Sequence, residues 1–140
     1  IMPYCVANNI SILAYSSLAQ GLLTGKFGRG HQFAEGDHRV ANKLFQGENY
    51  ERAQQALDRL RPIATRHQTT LGNLALAWLI AQPQIKPLAN AIVGARHADQ
   101  SRQNAQAAEI QLSATDLAEI DEIGRTVTDR LDDNPVMWNF

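Results

Sequence analysis

The sequence is most informative at first for what it lacks. Its 140 residues include a single cysteine, Cys5, which excludes an internal disulfide and fits a reducing compartment, with the cytoplasm as the expectation. Neither sign of charge dominates. Thirteen basic and fourteen acidic residues leave a formal charge of -1, so no net field argues for nucleic acid or an anionic membrane surface as a partner. No apolar run approaches the ~20 residues that span a bilayer. The longest, at residues 74–81 and 10–15, have no basic segment before them, so no targeting or anchoring segment is read. Internal repeats and low-complexity tracts are missing. His31, His38, His67 and His97 lack the spacing of metal ligands, read as surface or loop residues, and give no expectation of a metal site. Neither a P-loop nor a Rossmann fingerprint occurs.

What is present is ordinary folded sequence, 44% hydrophobic and 19% charged, long enough for one core. Ile1-Met2-Pro3-Tyr4-Cys5 reads as the end of an amphipathic helix already under way, so the chain is expected to begin inside an element. Residues 10–15 mix β-branched, aromatic and small side chains and predict a strand, apolar on both faces as in a buried parallel sheet. Glycines at 21, 25, 28, 30, 36 and 47 break any periodicity, predicting a long loop: a lid, or else a disordered insertion. Apolar residues at three-four spacing predict a helix over 48–67, with a kink or break at Leu60 and Arg61 imposed by Pro62. Thr70 offers a cap for a helix over 71–82, apolar nearly all round and therefore buried. Pro83 and Pro87 stop it and lead to a second strand, Ala91-Ile92-Val93, ending at Gly94. A polar helix over 98–108 follows. Ser113 and Asp116 then cap a last helix that ends near Ile123 and Gly124. Residues 126–140 are expected to form an irregular tail in which Trp138 and Phe140 pack somewhere. Two strand-helix units cannot close a barrel or cover an open sheet, so the rest of the fold is expected to lie outside this chain.

Two stretches carry chemistry. Beyond the first strand, residues 14–26 bring small residues, hydroxyls and Lys26, a combination that presents backbone amides and charge to a phosphate; a structural glycine-rich turn explains the same residues. Beyond the second, Arg96 falls at a helix N-terminus with Gln100 and Asn104 on the same face, able to converge on a phosphate and an adenine edge; a solvated polar face is the alternative.

The strings AYSSLAQGLLTGKF, DHRVANKLFQGENYERAQ, LALAWLIAQP and IVGARHADQSRQNAQAAEIQLSATDLAEID closely resemble the last quarter to third of aldo-keto reductases, in that family's order and spacing. The match runs from Pro3-Tyr4-Cys5 to about Ile123. The resemblance implies an α/β fold, a C-terminal portion of a (β/α)8 barrel holding about two parallel strands, the seventh and eighth, and several helices. It implies NADP(H) as cofactor. Positions matching Tyr15, Ser16, Ser17, Leu18, Ala19, Gln20 and Lys26 wrap the nicotinamide end and pyrophosphate in the family. Those matching Gly94, Arg96, Gln100, Gln103 and Asn104 hold the adenosine and its 2′-phosphate. Arg39 matches a basic residue of a loop, here residues 27–47, that folds over the cofactor. The pair Arg39 and Arg96 favours NADP over NAD. Two departures from the usual pattern are Ser17 and Val93, each where the family commonly has Pro.

The family's catalytic tetrad of Asp, Tyr, Lys and His lies upstream of everything matched. No catalytic residue is therefore assigned, and Tyr4 and Tyr15 are not promoted to that role. The expectation is a piece of an NADPH-dependent reductase that acts on a small-molecule aldehyde or ketone in the complete protein and is inactive by itself. Exposed strand flanks are expected to make the piece self-associate. The competing readings are a non-catalytic NADPH-binding or interaction module, like the potassium-channel-associated relatives of the family, and an inactive remnant.

Overall fold

A computed structural model describes residues 1–85, 88–132, 134 and 137. Strands and helices alternate. A short helix α1 (Met2–Ala7) precedes strand β1 (Ile12–Ala14), three 3-10 turns, and helices α2 (Gly47–Arg66) and α3 (Leu71–Ala81). Strand β2 (Ala89–Ala91), helix α4 (Ala98–Ala105), a further 3-10 turn (Gln106–Glu109) and helix α5 (Ala114–Thr128) complete the order.

The helix starts follow from local chemistry. The Thr70 hydroxyl accepts from the Asn73 amide at 3.2 Å, satisfying one of the orphan N–H groups of α3. At α5 the Ser113 hydroxyl accepts from the Asp116 amide at 3.1 Å, and the Asp116 carboxylate accepts in return from the Ser113 amide at 2.9 Å. The two groups form a reciprocal capping box. The Ser113 hydroxyl also lies 2.7 Å from Asp116 Oδ2 and can donate to it. That bond first, then the one from the Ser113 amide, then Arg66 and His67, hold the Asp116 carboxyl well below its ordinary value.

Of the kink or break expected at Pro62, the break does not occur; helix α2 runs from Gly47 to Arg66 with Pro62 inside it. Pro62 and Asp58, whose carbonyl loses its helical partner, are both exposed, so that carbonyl is open to water and the proline costs less than it would in a buried turn. Leu57, Ile63 and Ala64, before and after the proline, are buried in the same core and anchor both halves of the helix. Helix α5 likewise passes Gly124 and includes residues 126–128, expected in the irregular tail, because Ile123 and Val127 pack against one core. Trp138 and Phe140 lie outside the described residues.

That core is a helical layer. Leu57, Ile63 and Leu74 sit among α2, α3 and α5, with Leu22, Ala53, Ala56, Ile120 and Ile123 around them. Polar ties lock its edges: Trp78 Nε1 donates to Asp121 at 2.7 Å, and Arg66 Nη2 donates to Asp116 at 2.7 Å and to Glu119 at 2.8 Å. His67, expected at the surface, is mostly covered here, with Nε2 3.2 Å from the Asp116 carboxylate.

The strands pair in parallel, Ile12 with Ala89, Leu13 with Asn90 and Ala14 with Ala91. Strand β2 thus lies earlier than the 91–93 expected. The reason is that β1 ends at Ala14 and Ser16 turns away with φ 57°, so residues 93 and 94 find no strand to pair with among the described residues. The expected burial of both sheet faces is not met within the chain: Leu13 is 66% exposed.

The long loop contains more order than its glycines suggest. Phe27, Phe33 and Phe45 meet with ring centroids 5.1 to 6.0 Å apart, and Phe27 is buried. The 3-10 turns His38–Ala41 and Lys43–Phe45 are capped by Asp37 and Asn42.

Candidate functional site

Because β1 and β2 are parallel, both C-terminal ends emerge side by side. The Ile92 amide donates to the Ala14 carbonyl at 2.9 Å. The Ser17 hydroxyl lies 2.8 Å from the Ala14 carbonyl and 3.1 Å from that of Ile92, so its one hydrogen is shared between the two strand ends. The residue that departs from the family's usual proline therefore joins the two loops that the sequence singled out.

In the first loop Ser16, Ala19 and Gln20 take φ values of 57°, 45° and 55°, and Gly21 takes 92°. Left-handed backbone at three non-glycine residues costs of order 1 kcal/mol or more each and is concentrated at functional loops. Among the described residues, no acceptor takes the N–H groups of Ser16, Ser17 or Leu18. Tyr15 is 76% exposed beside them. The Lys26 ammonium folds back to 4.7 Å from the Phe27 ring centre. Gly21 makes room for it: a Cβ there would stand 3.0 Å from Lys26 Cε.

In the second loop Gln100 Oε1 accepts from the Arg96 amide at 2.8 Å, and Asn104 Nδ2 donates to the Gly94 carbonyl at 3.2 Å. Both side chains brace the turn over 94–96. Each keeps one group in hand: the Gln100 amide NH2 and the Asn104 side-chain carbonyl. The imidazole Nδ1 of His97 accepts from the Gln100 amide at 3.3 Å, leaving the Ala98 and Asp99 N–H groups of α4 open. The Arg96 guanidinium is exposed and has no partner among the described residues. The exposed Gln103 contributes its backbone carbonyl to Asn73 Nδ2, at 2.8 Å, which ties α4 to α3. An open concavity of about 310 Å³ adjoins Asn104, lined also by Leu76, Ile80, Val93 and Ala95.

Arg39 is differently placed. Its guanidinium forms a two-point bond with the Asp37 carboxylate, at 2.9 and 2.5 Å, and stacks 4.8 Å from the Phe27 and 4.6 Å from the Phe33 ring centres. The bonds from Arg39 pull the Asp37 carboxyl far below its ordinary value. Arg39 thus lies over the phenylalanine cluster with its charge matched by Asp37.

Sequence reasoning missed Asn42, 4% exposed, whose Nδ2 reaches Gln20 Oε1 at 3.5 Å. It also missed the phenylalanine cluster, although three Phe within one glycine-rich segment was a readable signal. No group of three or more His, Cys, Asp or Glu able to hold a metal ion occurs among the described residues, and no helix among them is long and apolar enough to cross a membrane.

Two parallel strands with their helices, and loops gathered at the strand C-termini, define a part of a barrel-type α/β fold. Residues 1–125 match the Aldo/keto reductase family, and the chain belongs to it. Among its relatives are the NADP(+) aldo-keto reductase yakc of Schizosaccharomyces pombe, 35% identical over 87% of this chain and 35% of that protein, and the NADH-specific methylglyoxal reductase of Escherichia coli, 36% identical over 83% of this chain and 34% of that protein. The glycerol dehydrogenase of Gluconobacter oxydans superposes on 98% of the chain and 41% of its own with a TM-score of 0.82 and 28% identity. The structural neighbours are aldo-keto reductase barrels, and this fold is a part of one. The chain spans about a third of the length of the relatives it matches.

Proposed function

We propose that this chain is the C-terminal portion of an NADP(H)-dependent aldo-keto reductase and supplies the cofactor-holding side of the site in which the complete protein reduces an aldehyde or ketone. The carrying observation is the Ser17 bridge, which aligns two loops with open N–H groups. The residues fit the group. Open amides at Ser16, Ser17 and Leu18 suit the pyrophosphate, while Arg96 and the first turn of α4 suit the 2′-phosphate. The donor left on Gln100 and the acceptor left on Asn104 match the edge of an adenine. When bound, the cofactor supplies the hydride; the residues of this chain orient it and neutralise its phosphates. The tetrad that protonates the carbonyl is assigned to the remainder of the barrel, so the chain alone is proposed to be inactive.

The relatives divide over the cofactor, one named for NADP(+) and one for NADH, so Arg39 and Arg96 must carry the choice. With Arg39 matched by Asp37, Arg96 is the residue that selects the 2′-phosphate. Replacing Arg96→Ala is expected to weaken NADPH by about 1.5–3 kcal/mol, the worth of a lost charged hydrogen bond, and to leave NADH nearly unchanged. Calorimetric titration with both cofactors checks this; equal losses would sink the 2′-phosphate assignment. Carbonyl reduction by the 140-residue chain itself would overturn the claim that the tetrad lies elsewhere.

A further inference from the structure

Lys43 stands where two sets of contacts meet. Its side chain is 13% exposed, and its ammonium donates to Asp132 Oδ1 at 2.5 Å and to the Asn134 carbonyl at 2.8 Å. Its backbone N–H donates to the Met137 carbonyl at 2.9 Å. One residue of the 27–47 loop thus fastens three points of the C-terminal segment, some ninety positions away. The preceding residue faces the other way. Asn42 Oδ1 accepts from the Leu44 amide at 2.9 Å, and Asn42 Nδ2 lies 3.5 Å from Gln20 Oε1 in the strained first loop. The two residues therefore link the C-terminal segment, the loop and Gln20 in one line. Arg39, on the adjoining 3-10 turn, rides on the same stretch over Phe27 and Phe33.

We propose that Lys43 is a positioning residue: by fastening the C-terminal segment to residues 37–45, it holds that stretch against the first strand-end loop and sets how fast NADP(H) leaves. This inference rests on the cofactor reading above. The geometry goes beyond an ordinary surface pair. An ammonium largely removed from water needs several acceptors, and here a carboxylate and a carbonyl converge on it, with the backbone bond fixing the same residue from behind. Asp132 is itself 66% exposed, so its share of the attraction is open to screening by salt. The 3.5 Å spacing between Asn42 and Gln20 is near the limit for a hydrogen bond and has room to tighten if the stretch is pressed inward.

The test compares Lys43→Met, which keeps the aliphatic stem without the charge, with Lys43→Arg, which keeps charge and donors, and with Asp132→Asn. Each is made in the 140-residue chain, and thermal midpoints check that all remain folded. Hydrogen exchange over residues 37–45 is measured without cofactor, and NADPH release by stopped-flow fluorescence. In Lys43→Met, exchange over 37–45 should accelerate and NADPH should leave roughly tenfold faster, as expected for a lost charge-assisted hydrogen bond, with the association rate unchanged. Asp132→Asn should show a smaller increase, and Lys43→Arg should stay near wild type. Unaltered exchange and release in Lys43→Met, or an arginine variant as fast as the methionine one, would overturn the proposal. Failure of the wild-type chain to bind NADPH would instead overturn the cofactor reading and the release role together. The exchange comparison would still decide whether Lys43 fastens the loop.

Discussion

The helical layer and the two-stranded sheet are both rich in apolar residues, yet only the first is covered. Leu57 is 2% and Leu74 1% exposed, whereas Leu13 is 66% and Ile92 52% exposed. A helix buries one stripe and finds its partners among the neighbouring helices of the same chain. A parallel strand has two faces and two edges to cover, and among the described residues β1 and β2 pair only with each other. The candidate site lies on this uncovered side, so the loops that carry the proposed function stand on the less supported half of the molecule.

The largest effect should separate the two regions directly. Leu57→Ala is expected to cost about 2–5 kcal/mol, the range for a buried leucine that leaves a cavity. Leu13→Ser should change stability by less than about 0.5 kcal/mol. Urea unfolding of both variants measures the contrast, and similar losses would break it.

Asp116 tests the seam between α2 and α5. Asp116→Asn loses the charge that Ser113 and Arg66 satisfy and should cost about 1–2 kcal/mol at neutral pH. The sign with pH follows from the lowered carboxyl. Its contribution is complete above the ordinary carboxylate value and fades as pH falls through the lower folded one. The stability gap between wild type and variant should therefore close in acid, below about pH 4. A gap that persists there would mean the helix seam does not depend on this charge.

The smallest effect concerns the sheet. Exposed Ile10, Leu13 and Ile92 should let copies of the chain associate, and Leu13→Ser should weaken that association by a fraction of a kcal/mol to about 1 kcal/mol. Sedimentation over a range of concentrations measures it. A wild-type chain that stays monomeric throughout would show that the strand side needs no partner.

Much of this organisation was legible in the sequence where the cause was local. Thr70 and the Ser113–Asp116 pair announced their helices because a cap is made within four residues. Short runs of β-branched and small apolar residues pointed to two parallel strands, and the motif order pointed to the family. The register of β2 was not legible, because it depends on Ser16 leaving the sheet and on Ser17 reaching Ile92, 75 residues away. Pro62 misled for a related reason: its breaking effect is local, but burial of Leu57 and Ile63, before and after it, outweighs it. In the candidate site the residue types were readable and their pairing was not. Nothing in the order Asp37-His38-Arg39 says that the arginine turns back on the aspartate, and Asn42 and Lys43 acquire their roles only through distant partners.

The most direct measurement is hydrogen exchange on the 140-residue chain with and without saturating NADPH. Bound NADPH should protect the amides of Ser16 to Leu18 and the start of α4, both loops together because Ser17 joins them, with the core of α2 and α3 unchanged. Protection of neither loop, or protection confined to the helical layer, would contradict it.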